Sequence, residues 1–143
     1  MSTGLQMLEQ LKEYLAAPAL FNRVLILKRG LAVCSIFEQE QDLTRFPACV
    51  IAGGASHTLD GGCTGSAGVD VVVISPFYGG LEKEVREAHT LLQQTMALLQ
   101  CDKQGRVLTL GKYFYIPERV QEISLTDEFL AYEIHLAVKF SFA

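Results

Sequence analysis

Three residues able to do chemistry lie close together in the chain: His57, Asp60 and Cys63. A thiolate paired with an imidazolium is the nucleophile of a cysteine hydrolase, and the same three residue types can ligate a metal ion. Either use needs rigid support. The surrounding tract, Gly53–Gly68, reads Gly-Gly-Ala-Ser-His-Thr-Leu-Asp-Gly-Gly-Cys-Thr-Gly-Ser-Ala-Gly, which predicts a long flexible loop. It offers no orienting residue and no oxyanion hole. Nor is it a phosphate cradle: Gly62–Gly68 departs from G-x-x-x-x-G-K-[ST], contains no lysine, and leads into a strand pattern rather than a helix. The expectation is a protein that is not an enzyme and uses neither metal nor cofactor.

The remaining chemical residues are plainer. Asp70 follows Val69 and opens an otherwise apolar strand pattern, so it either faces solvent or meets a partner. His89 falls on a helix and His135 on the polar side of a strand, where surface or interface roles are expected. Glu38, Glu40 and Asp42 read as a solvated loop. Tyr113, Phe114 and Tyr115 resemble a stacking platform, but with no basic neighbours they are expected in a core or a subunit contact. Cys34, Cys49, Cys63 and Cys101 include no C-x-x-C pair and no histidine at finger spacing, so reduced structural thiols are expected.

Composition narrows the classes further. Of 143 residues, 50% are hydrophobic and 20% charged, and the mean hydropathy is +0.25, which excludes a disordered chain. One domain spanning 1–143 is expected. The charged fraction is below the usual quarter, so either the core is generous or apolar surface is covered by another subunit. A net charge of -4 with no basic block argues against nucleic acid and against an anionic membrane surface. The N-terminus lacks the pattern of a signal peptide, and polar residues interrupt the uncharged stretches Phe46–Leu59 and Ala88–Cys101. A cytoplasmic, soluble protein is expected.

The elements that must position these residues follow from periodicity. Leu5, Leu8, Leu11 and Leu15 share a helical face, with Ser2 or Thr3 as N-cap and Pro18 as terminator. Short β patterns follow at Arg23–Lys28 and Leu31–Phe37, then Phe46–Ala52 and Val69–Ser75. A second helix carries Leu81, Val85, Ala88, Leu92, Met96 and Leu99 on one face, with Glu82 and Arg86 as an i,i+4 pair on the other. Strand pieces at Arg106–Leu110 and Lys112–Ile116 flank Gly111, and Pro117 is expected to close them. From Leu130 to Phe142 the alternation is strictly period two, with one apolar face and one mixed face. That pattern suits an antiparallel sheet. The fold class expected is α+β: two layers, a largely antiparallel sheet with two amphipathic helices packed on one face.

In the order of these elements the chain resembles the tail terminator (tail-completion) proteins of long-tailed bacteriophages. The shared features are the first helix, Phe46-Pro47-Ala48 leading into an apolar strand, a variable loop, the strand at Val69–Ser75, the helix at Leu81–Gln100, and a terminal alternating strand after a long irregular segment. The resemblance spans essentially the whole chain. It implies a structural phage or prophage protein forming a homo-oligomeric, hexameric ring on the tail tube. Such a ring ends tube polymerisation and meets the head-completion proteins, first in the bacterial cytoplasm and then in the virion tail. The partners implied are further copies of the chain, the tube protein and the head-completion proteins. Contact candidates in that setting are His57, Asp60, Cys63, Asp70, Tyr113 and Tyr115. The alternative is a small α+β ligand-binding or regulatory module, expected to be a dimer.

Overall fold

The computed structural model describes residues 3–27, 45–59, 64–77, 82–100, 107–123 and 128–141. Helix α1 spans Thr3–Ala16. Among its described side chains Met7, Leu11 and Leu15 are fully buried and Leu8 packs against them, as the expected stripe requires with Met7 added; the Leu5 side chain lies outside the description. The helix stops before Pro18, and Ala19 turns the chain with φ of 59°.

Strand β1, Arg23–Ile26, runs parallel to β2, Ala48–Leu59. Asn22 ties the two starts together: its backbone amide donates to Pro47 O at 2.8 Å and its side-chain amide to Phe46 O at 2.6 Å. The Phe46–Pro47 peptide bond is cis. The strand pattern at Leu31–Phe37 and the acidic loop at Glu38–Asp42 lie outside the described residues.

The glycine tract is the largest departure from expectation. Most of it is strand, not loop: β2 runs on to Leu59, and β3 spans Thr64–Pro76. Glycine is a poor strand former because it has no side chain to pack and loses much entropy. Here the neighbouring strand compensates. The alternating segment forms β6, Phe129–Ser141, and β3 pairs with it along its whole length, from Thr64↔Ser141 to Pro76↔Phe129. Backbone bonds from β6 on one side and β2 on the other hold the tract extended, with a register shift in β2 between Gly53 and His57.

Helix α2 covers Glu82–Gln100. Its buried residues are Ala88, Leu91, Thr95 and Leu99, with Leu92 and Met96 flanking. Of the expected face, Ala88, Leu92, Met96 and Leu99 meet the core and Leu81 lies outside the described residues; the face also takes in Leu91 and Thr95, the latter polar in sequence. Its hydroxyl donates to Leu91 O at 2.8 Å, which removes the cost of burying it. Exposed Glu82 and Arg86 do form their i,i+4 ion pair.

The chain then forms β4, Leu108–Leu110, and β5, Tyr113–Ile123, around a two-residue turn. Gly111 takes φ of 62° there, a region that costs glycine nothing. Pro117 does not close β5 as expected. Since β4 reaches only as far as Tyr115, Pro117 sits on an edge stretch among the described residues, where a missing donor is tolerated and a bulge absorbs the irregularity.

The result is an α+β fold with two helices and a six-stranded sheet among the described residues, ordered β1-β2-β3-β6-β5-β4. All neighbours except β1 and β2 are antiparallel. One hydrophobic cluster joins Met7, Leu11 and Leu15 of α1 and Leu91 and Leu99 of α2 to Val71, Ile134 and Leu136 of the sheet. The Tyr14 hydroxyl donates to Leu98 O at 2.7 Å, linking the helices. A second cluster, with Val50, Val72, Ile74 and Ala131, gathers alternate residues of the same strands, with Phe46 and Phe129 packed at a ring separation of 4.5 Å. Phe77 N donates to Glu128 O at 2.7 Å, fastening the end of β3 to the start of β6. No helix among the described residues is long and apolar enough to cross a membrane.

Candidate functional site

The polar residues of β3 and β6 meet through the register. Asp70 lies directly opposite His135, and His135 Nδ1 donates to Asp70 Oδ1 at 2.7 Å. A carboxylate can only accept, so Nδ1 carries a proton. The bulge in β5 adds a second carboxylate: a bulge sets two residues against one, here Glu118 and Arg119 against His135. Glu118 Oε1 lies 3.4 Å from His135 Nε2, and a second proton on the ring would bridge to it.

Gly68 makes room for the ring. A Cβ there would stand 3.1 Å from His135 Cε1, closer than the ring can accept without moving. Ser66, Gly68, Glu118, His135, Ala137 and Lys139 line a shallow groove of about 400 Å3 beside this arrangement. The Asp70 and His135 side chains are 32% and 23% exposed, so the pair, which links β3 to β6, is partly screened by solvent. Among the described residues no three His, Cys, Asp or Glu side chains are placed to share a metal ion.

The aromatic run divides by parity. Tyr113 and Tyr115 are fully buried within the chain itself. The Tyr113 hydroxyl donates to Gln6 Oε1 at 3.0 Å, and the Tyr115 hydroxyl donates to Met7 O at 2.7 Å, so both fasten β5 to α1. Of the two settings expected for them, a core or a subunit contact, the core is where their side chains lie. Phe114 and Ile116 point the other way and are 46% and 37% exposed. Val107 and Val120 complete the exposed large hydrophobics among the described residues, and all four belong to the β4–β5 edge of the sheet. Burial, and then the neighbouring Tyr113, push the Tyr115 phenol well above its ordinary range.

Of the other sequence candidates, Asp60 and Cys63 lie outside the described residues. His57 stands in β2 opposite Ala67, and its side chain is outside the description. Cys49 is a buried free thiol, pushed far up by desolvation, as expected of a structural cysteine. His89 lies 3.3 Å from the Tyr132 hydroxyl through Nε2, and burial, then Glu122, raise the Tyr132 phenol. Asp70 is thus the one sequence candidate brought into a polar cluster. Glu118, the second carboxylate beside His135, carried no sequence signal beyond following Pro117.

These features define a small α+β sheet protein with a shallow polar groove and, among the described residues, exposed large apolar side chains at the β4–β5 end of the sheet. No protein-family model matches the chain, and no curated protein matches it significantly.

Proposed function

We propose that the chain is a structural tail protein of a phage or prophage, a tail terminator whose copies close into a ring of six. The ring caps the tail tube, ends its polymerisation and presents its other face to the head-completion proteins. The observation that carries this reading is the confinement of Val107, Phe114, Ile116 and Val120 to one sheet edge. Phe114 and Ile116 lie on one face of β5 and Val120, opposite Ile134, on the other, and large apolar side chains left open in this way are what an obligate neighbour covers. The low charged fraction of the whole chain agrees with it, and the neighbour is a second copy.

Part of the element order supports the same reading: the first helix, Phe46-Pro47-Ala48 leading into β2, the second helix and the alternating β6, although the expected variable loop is mostly strand and the expected irregular segment holds β4 and β5. So does a two-layer arrangement with both helices on one sheet face, for which the shared cluster and the Tyr14–Leu98 hydrogen bond are the grounds. Ring closure needs a heterologous interface, in which the apolar edge of one copy meets a different surface of the next. The protein turns over no substrate in this role. It assembles in the bacterial cytoplasm and leaves with the virion tail.

Native mass measurement with negative-stain imaging tests the reading. Six-membered rings are expected. A strict monomer at every concentration and divalent-ion condition refutes it, and a dimer with no rings points to a small binding or regulatory module instead.

A further inference from the structure

We draw no further inference here: the strongest candidate, the groove where Asp70, His135 and Glu118 meet, has Asp70 already bonded to the imidazole and carries both Glu118 and Lys139 on its lining, so nothing in it favours a cation, an anion or a neutral ligand.

Discussion

Replacing Tyr115 by phenylalanine removes one oxygen from a fully buried ring and leaves the packing in place. The lost bond runs from the hydroxyl to Met7 O at 2.7 Å. Within α1 that carbonyl also faces the amide four residues on, so it is not orphaned. The cost is therefore the ordinary net worth of a hydrogen bond, about 1 kcal/mol, rather than the larger penalty of an unsatisfied buried group. That is roughly a fivefold change in the folding equilibrium at pH 7.

Alkaline pH reverses the sign. The Tyr115 phenol is raised in the folded protein above its ordinary value of 10.0, chiefly by burial. A group raised on folding contributes stability that is complete below its unfolded value and lost as pH climbs through the folded one. Above about pH 10 the wild type therefore loses about 1.4 kcal/mol per pH unit through Tyr115, and Tyr115→Phe does not. Losses through Cys49 are common to both proteins and cancel. The deficit of the variant should shrink above pH 10 and vanish between about pH 10.5 and 11. Urea unfolding followed by far-ultraviolet circular dichroism, at intervals from pH 7 to 11, measures the gap directly. A gap that stays constant over that range, or no gap at pH 7, refutes the reasoning.

Three further outcomes are expected. A double-mutant cycle with Asp70→Asn and His135→Ala should show a coupling of about 0.5–1 kcal/mol in urea unfolding, the scale of a partly exposed charge-assisted pair; strict additivity would show that the 2.7 Å bond adds nothing to stability. Phe114→Asp with Ile116→Asp should cost about 2 kcal/mol, because each side chain is partly covered and aspartate suits a strand poorly, yet leave a folded chain that reads as a monomer and not a ring on native mass measurement; rings that persist would place the contact elsewhere. Cys49 should resist iodoacetamide in the native protein and react once urea unfolds it, as read by peptide mass; fast native labelling would contradict its burial.

Where side chains alternate strongly, the fold was legible. The strict alternation of Leu130–Phe142 became β6, and the two amphipathic stripes became α1 and α2. What periodicity could not show was the effect of neighbours. Gly65 and Gly68 look like loop residues by themselves, and they become strand because Gly65 is paired with β2 and β6 on its two sides and Gly68 with Ala137 of β6. Pro117 looks like a stop, and it is tolerated because β4 ends two residues earlier in the pairing. Tyr113 and Tyr115 look the same as Phe114 until parity sorts them to opposite faces. The polar cluster was the least legible part, since Asp70 and His135 are 65 residues apart and only the register makes them neighbours.

The position of β6 has a kinetic consequence. It is the last strand in chain order and yet lies inside the sheet, between β3 and β5. Its partner β3 is separated from it by the whole of α2, β4 and β5. A chain emerging during synthesis can form the β2–β3 hairpin early, but it must hold an open apolar β3 until the final strand arrives. Closing so long a loop costs entropy before any pairing offsets it, and topologies of this kind fold slowly. Until then the exposed flank of β3 is a template for any other extended chain, including the β6 of a neighbouring copy.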